Sequence, residues 1–417
     1  MEMVPSAASR SVSGPRSPDS GAEREAVVDA LRGFALLGIL VVNIIAFASP
    51  YYSAGLPDPS TDKLLGRLAM ATVSWLFETK FYLLFSFLFG YSFTLQMRSA
   101  ERAGASFRPR ILRRLAGLFL FGLGHGVLLF HGDILTTYAV LGLVLLMLRR
   151  TDPRRLVRIA LWLVMGTSLF WLGIGILETL EPSGPSATSQ DVARAILAYR
   201  SSPATVVSQH LHDLTQMLGL LGLVQAPTAL AMFLLGLVAG QRGLFHDIRG
   251  HLPLFRRMLM AGAAVGLPCA AIYAVTSVAF MGTPWEVFGL ALSLLTAPLL
   301  TGGYIGGLVL LFRGSAGAIL VDVLAPAGRM ALSNYLMQSL ICAVIFYAYG
   351  FRMVGEIPPA LAVLMAAGIF LIQLMASRWW MERFAYGPLE WALRALTNLH
   401  VPALRRTPRR LPGAVSE

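Results

Sequence analysis

Two histidines and an aspartate close one apolar segment of the chain: GLGHGVLLFHGDIL carries His125 in its distal half and His131 and Asp133 at its end. A histidine titrates near neutral pH, so it can take a proton from a hydroxyl or an amine and later return it. Asp133 is spaced to orient His131 and to stabilise its charge. Ionisable groups at membrane depth are costly to desolvate, which makes such residues candidates for function. The competing assignment is a hydrogen-bonded structural histidine and an aspartate that caps the helix starting at ILTTY. The preceding apolar segment offers Glu78 as a second acid or base, with Tyr82 one turn away on the same face. Lys80, next to it, suits an interfacial anchor as well as it suits catalysis.

The first apolar segment, DALRGFALLGILVVN, adds Asp29, Arg32 and Asn43. On a helix, eleven positions return to within about 20° of the same face and rise about 16 Å. Arg32 and Asn43 therefore share a face, one near each mouth of a span, with Asp29 close to the same line. They are candidates for substrate contact; as plain structure they would be a topology anchor, a helix-terminal charge and an interhelical hydrogen bond. Arg329 lies at the level of Arg32, and Asn334 and Gln338 follow it on one helix, one turn apart, as substrate contacts or as interhelical bonds. Gly302, Gly303, Gly306 and Gly307 allow a close helix approach. No Gly-rich phosphate loop, HExxH or GxSxG pattern is present. Cys269 and Cys342 lie far apart in apolar segments, so neither a disulfide framework nor a metal site is expected.

The elements that must position these residues are membrane helices. Of the 417 residues 56% are hydrophobic and 13% charged, and the mean hydropathy is +0.66, too apolar for a soluble domain of this length. A span needs roughly 20 apolar residues. Candidate segments lie at about 28–48, 75–97, 111–130, 134–148, 157–179, 217–240, 256–280, 287–312, 329–349 and 358–379. The expected fold is an all-α polytopic bundle of about ten transmembrane helices over residues 25–400, between a disordered tail at 1–24 and a basic tail at 401–417. With both termini inside, all but six of the 34 Lys and Arg residues fall on the cytoplasmic side, the exceptions being Lys63, Arg67, Lys80, Arg194, Arg200 and Arg352. The net charge of +12 is thus a topology signal, and no nucleic-acid partner is expected. Residues 180–216 form the largest exterior segment, with a surface helix or two. FAYGPLEWALRALTNLH reads as an interfacial helix starting at Pro388, with a Glu390–Arg394 pair.

The block DALRGFALLGILVVN, together with FETKFYLLFSFLFGYSFTLQ, HGDILTTYAVLGL, GRMALSNYLMQSL and FAYGPLEWALRAL, resembles the YeiB-like family of bacterial inner-membrane proteins, a domain of unknown function. The resemblance covers nearly the whole chain after residue 25 and implies a multi-pass protein of the bacterial inner membrane with cytoplasmic termini. More distantly, the first helix resembles the transmembrane acyltransferase group, which includes O-acetyltransferases of surface polysaccharides and the heparan glucosaminide N-acetyltransferase. Polysaccharide acetylases of that group carry a histidine where this chain has Asn43, so a general base must come from elsewhere. The resemblance implies no bound cofactor, with acyl-CoA as donor on the inner arginines and an acceptor on the exterior: a glycan, lipid or secreted metabolite. Two other functions fit the same residues. A small-molecule or lipid transporter or flippase would show related halves and broken helices, which the sequence does not display. A non-catalytic membrane partner would use the polar groups only to pack helices.

Overall fold

The computed structural model describes residues 19–61, 63–181 and 187–406. The secondary structure is helical, apart from one isolated antiparallel bridge between Phe384 and Arg405. Helix α1 (Asp19–Ala48) starts six residues before the expected membrane domain, so part of the segment read as a tail is helical; residues 1–18 and 407–417, the rest of both expected tails, lie outside the described residues. After α2 (Pro50–Ala54) come α3 (Leu64–Leu76), α4 (Lys80–Arg102), α5 (Phe107–Leu128), α6 (Leu135–Leu148) and α7 (Pro153–Leu180). Helices α8 (Ser189–Ser201) and α9 (Pro203–Leu220) form the surface pair expected at 180–216. They lead into α10 (Ala226–Gln241), α11 (Leu252–Ala261), α12 (Leu267–Ala279), α13 (Pro284–Leu311), α14 (Ser315–Arg329), α15 (Ala331–Phe346), α16 (Pro359–Arg383) and α17 (Pro388–Asn398).

Seven of these helical stretches are long and apolar enough to cross a membrane, and α14 with α15, bent by 77°, makes an eighth. Of the ten expected segments, the two outside this set are the 23-residue α4 and the 14-residue α6. Large side chains exposed along α7 and α16, among them Leu161, Trp162, Leu169, Leu364, Leu371 and Ile372, form the lipid-facing surface. The chain is a polytopic membrane bundle. Its N-terminal end, where α1 enters beside Arg32, is the proximal end; α1 leaves at the distal end.

The segment expected to run unbroken over 75–97 is divided. Helix α3 ends at Leu76, Thr79 takes a left-handed φ of 65°, and α4 starts at Lys80. That conformation costs a β-branched residue about 1–2 kcal/mol, and no Gly or Pro announces it. Helix α13 ties down both sides of the break: the Tyr304 hydroxyl donates to Leu76 O, at the end of α3, at 2.7 Å and the Thr301 hydroxyl to Lys80 O, in the first turn of α4, at 3.1 Å. In lipid a break must be closed by protein in this way. Lys80 is not the interfacial anchor of the sequence-based assignment: it is 0% exposed, and its Nζ donates to Ser74 O at 2.7 Å. Pi-helical turns at Leu221–Gln225 and Gly262–Gly266 precede Pro227 and Pro268 and absorb the hydrogen bonds those prolines remove. Broken helices, which the transport alternative requires, are therefore present.

Two glycine contacts fix the helices that carry the site. On α1 and α14, a Cβ at Gly33 would lie 2.3 Å from Leu324 O and one at Gly328 would lie 1.8 Å from Asp29 O, so backbone packs on backbone beside Arg32 and Arg329. On α4 and α10, a Cβ at Gly90 would lie 2.0 Å from Phe233 O and one at Gly236 would lie 2.0 Å from Phe87 O. Replacing Gly90 or Gly236 by Leu should cost more than the ~1–3 kcal/mol of ordinary overpacking, because a carbonyl cannot rotate away. Gly166→Leu, on the open face of α7 with nothing within 4 Å, should leave the melting temperature within a few degrees. Equal melting temperatures for the three variants in detergent would refute this packing.

Candidate functional site

Three cavities lie in series inside the bundle. The proximal one, about 420 Å³, is walled by α1, α4, α5, α6, α14, α15 and α17 and carries five arginines: Arg32, Arg110, Arg114, Arg329 and Arg394. Its inner wall is apolar and aromatic, with Ile39, Phe85, Leu88, Phe89, Leu118 and Tyr138. The distal one, about 260 Å³, is lined by Asp58, Glu78 and Glu286 with Tyr52, Tyr273, Phe130 and His131. Between them is a waist of about 100 Å³ lined by Asn43, Thr79, Tyr82, Gln225 and Tyr335. The waist shares Ile39, Ile134 and Tyr335 with the proximal cavity and Gly132 with the distal one.

Three of the five arginines are aimed by a neighbour. Arg32 pairs with Asp29 one turn earlier, and its other nitrogen donates to Ser92 Oγ at 2.6 Å. Arg110 donates to Asn398 Oδ1 at 3.1 and 2.7 Å, and Arg394 stacks 4.9 Å from the Tyr386 ring centre. The Nε of Arg114 is buried and makes no hydrogen bond. Asp29 therefore orients Arg32 and does not itself line the cavity. Glu390 lines this cavity but does not form the expected surface pair with Arg394. It accepts from the backbone N–H groups of Leu332 and Ser333, at 2.7 and 3.1 Å, and from the Ser333 hydroxyl at 2.5 Å. Placed at the start of α15, it caps orphan donors there and compensates the helix dipole. Burial pushes its carboxyl upward, against those hydrogen bonds.

The loop between α5 and α6 borders all three cavities, with Ile134, Gly132, and Phe130 with His131 reaching them in turn. Asp133 holds it. Its Oδ2 accepts from the Thr136 N–H at 2.8 Å and the Thr136 hydroxyl at 2.7 Å, capping α6; its Oδ1 is 2.9 Å from His125 Nδ1. The carboxylate requires Nδ1–H as donor, and His125 Nε2 lies 2.8 Å from the Ser339 hydroxyl on α15. His125, Asp133 and Ser339 are each 1–2% exposed and line none of the three cavities. Asp133 thus partners His125 and not His131, and both brace the loop.

His131 points elsewhere. Its Nδ1 is 3.4 Å from the Tyr199 hydroxyl and 3.8 Å from Asp213 Oδ2, both on the α8–α9 pair, while its Nε2 makes no hydrogen bond among the described residues. Burial pushes its imidazole below the ordinary value, against the pull of Asp213. Glu78 Oε1 accepts from the Tyr52 hydroxyl at 2.6 Å. Asn43 lines the waist without a hydrogen bond among the described residues, and Gln225 Oε1 there is buried and unpartnered. Asn334 and Gln338 do not join the site: Asn334 Nδ2 donates to Ser377 Oγ at 2.9 Å and Gln338 Nε2 to Gln373 Oε1 at 2.8 Å, tying α15 to α16. Of the residues singled out in the sequence, the cavities gather Arg32, Arg329, Asn43, Glu78 and His131. Sequence reasoning missed Gln225, Asp58, Glu286, Tyr52, Asp213 and His210, which become neighbours only through the fold.

His210, on α9 ahead of the span that starts at Gly222, packs behind the distal cavity beside His131, with ring centres 6.1 Å apart. Its Nδ1–H donates to Val127 O at 3.1 Å and its Nε2 is buried without a partner. Burial pushes its pKa from 6.5 down to about 3. The unfolded chain takes up this proton below about 6.5 while the native one does not, so native stability must fall as pH drops through that window. Between about pH 7 and about pH 5 the melting temperature of wild type should fall further than that of His210→Asn, whose amide keeps the bond to Val127. Identical pH slopes would show that His210 is not held neutral.

The comparisons with known proteins agree with this architecture. A family model described as a protein of unknown function (DUF418) matches residues 239–400. The chain is 33% identical over 395 residues to uncharacterized protein YxaH of Bacillus subtilis (strain 168), covering 90% of this chain and 95% of that one. It is 30% identical over 415 residues to uncharacterized protein YeiB of Escherichia coli (strain K12), covering 93% and 100%. An uncharacterized 39.9 kDa protein of Bacillus acidopullulyticus is 28% identical over 383 residues, 92% and 96% of the two chains. With homologues of this kind in bacteria and a bundle of membrane-spanning helices, the chain is a multi-pass membrane protein of the DUF418 family.

Proposed function

We propose that the protein is a membrane-embedded acyltransferase that moves a short acyl group, above all acetyl, from acyl-CoA in the proximal cavity to a glycan, lipid or secreted metabolite in the distal one. The proximal end then faces the cytoplasm of a bacterial inner membrane, and both termini with it. The observation that carries this reading is the waist. At about 100 Å³ it is smaller than the roughly 150 Å³ cavity that accepts a benzene ring. An acyl group of a few atoms fits, whereas a nucleotide or a sugar stays on its own side. A buried polar atom without a partner calls for a ligand, and Gln225 Oε1 is one, in the same wall as Asn43 where the two ends meet.

The roles follow from position. Arg32, Arg110, Arg114, Arg329 and Arg394 hold the donor phosphates, which suit planar guanidinium forks. The Asn43 amide donates to the acyl oxygen as it gains negative charge. Neutral His131 takes the acceptor proton through Nε2. The acceptor lone pair bonds to the acyl carbon, the carbon–sulfur bond breaks, and the thiolate receives that proton as it leaves toward the arginines. His125 and Asp133 position the loop that carries His131 and are not themselves in contact with the reacting atoms.

The division of α3 from α4 favours a second function, transport of an amphiphile along the same three cavities. Membranes with and without the protein, supplied with radiolabelled acetyl-CoA, separate the two. Protein-dependent labelling of a membrane or exported product is expected. Asn43→Ala should lower turnover about 10²–10³-fold, and Arg329→Gln should raise KM for acetyl-CoA about tenfold or more. Equal labelling with and without the protein would overturn acyl transfer, and protein-dependent movement of an amphiphile without acyl label would establish transport.

A further inference from the structure

We infer that the distal cavity binds a small organic cation, so that the acceptor is a primary amine and not a neutral or phosphorylated hydroxyl compound. The assignment rests on the acyl-transfer reading for the reaction, but not for the binding. Asp58, Glu78 and Glu286 line this cavity and no Lys or Arg does. Their hydrogen-bond donors are uncharged. Asp58 accepts from the Ser49 hydroxyl and from the Ser60 N–H at 2.7 Å, Glu78 from the Tyr52 hydroxyl at 2.6 Å, and Glu286 from the Gly282 N–H at 2.6 Å. Among the described residues none of the three forms an ion pair. Lys80 brings one ammonium to the wall, its Nζ donating to Ser74 O at 2.7 Å and lying 5.4 Å from the Tyr273 ring centre, which leaves two of the three carboxylate charges unbalanced.

Like charges around one part-enclosed space repel unless a cation enters, and such a space concentrates cations. The three carboxylates do not converge on a point: among the described residues no three His, Cys, Asp or Glu side chains are grouped to hold a metal ion. A cation long enough to bridge them therefore fits better than a bare ion. The rings of Tyr52 and Phe130 supply apolar and cation–π faces for its body, the Tyr273 ring being already faced by Lys80. The independent sign of a ligand is His131, 2% exposed and lining the cavity, whose Nε2 makes no hydrogen bond among the described residues while its Nδ1 faces Tyr199 and Asp213.

Charge also gives the reaction a direction. The bound ammonium gives one proton to His131, which returns it to solvent; the free amine's lone pair bonds to the acyl carbon, the carbon–sulfur bond breaks, and the second proton shed by that nitrogen leaves on the thiol. The product is a neutral amide, which no longer has the charge that the carboxylates hold, and it dissociates.

Binding by purified protein in lipid nanodiscs, without donor, tests this with matched pairs: glucosamine against glucose, and tyramine against tyrosol. At least one amine should bind about tenfold tighter or more than its hydroxyl twin. Glu78→Gln and Glu286→Gln should each erase most of that preference, at unchanged melting temperature, since glutamine keeps the bonds from Tyr52 and Gly282. Amines that bind no tighter than their twins, a preference for glucose 6-phosphate, or a preference that survives both substitutions would overturn the assignment. Amine binding without acyl labelling would leave it standing and remove the transferase reading; labelling of hydroxyl acceptors alone would do the reverse.

Discussion

One carboxylate holds the interior together. Asp133 caps α6 through Thr136 and anchors His125, which in turn reaches Ser339 on α15. Breaking a buried pair of this kind by removing one partner typically costs about 3–5 kcal/mol, because the other is left uncompensated. The loop it fixes is the wall common to all three cavities, so the position of His131 and the width of the waist depend on it. Two of the three residues that look catalytic in that segment, His125 and Asp133, are thus ones that hold the site in shape.

The bilayer explains why so many polar groups lie inside. A helix broken in lipid must find its hydrogen bonds within the protein, and α13 supplies hydroxyls from Ser293, Thr301 and Tyr304 to the segment around the α3–α4 break. Thr79 and Tyr82, beside that break, line the waist together with Asn43. Charge is separated along the same axis, with arginines at the proximal end and carboxylates at the distal end. In the proposed reaction this separation would draw an anionic donor and a cationic acceptor each to one mouth and repel it from the other, keeping the partners in order without a moving gate.

Much of this was legible in the sequence. The apolar segments coincide with helices, and the spacing of Arg32 and Asn43 on one face of α1 correctly set them along one internal line, in the proximal cavity and the waist. The break at residues 77–79 was not legible, because Thr79 takes its left-handed conformation from tertiary contacts and not from a Gly or Pro. Glu390 read as half of an i,i+4 pair because its true partners lie far away in the sequence, at Leu332 and Ser333. His125, His131 and Asp133 looked like one group on proximity in the chain, yet the turn sends His131 to Tyr199 and Asp213 and leaves the other two in the packed wall. Interhelical bonds were the right alternative for Asn334 and Gln338, whose spacing on α15 faces α16.

The most direct test is a structure of the protein in nanodiscs with acetonyl-CoA, in which a methylene between sulfur and carbonyl prevents transfer. The account predicts phosphates among Arg32, Arg114 and Arg329 and the acetonyl oxygen within hydrogen-bond distance of the Asn43 amide. An analogue bound outside the proximal cavity, or a waist filled by a lipid chain while the acetonyl group lies elsewhere, would contradict it.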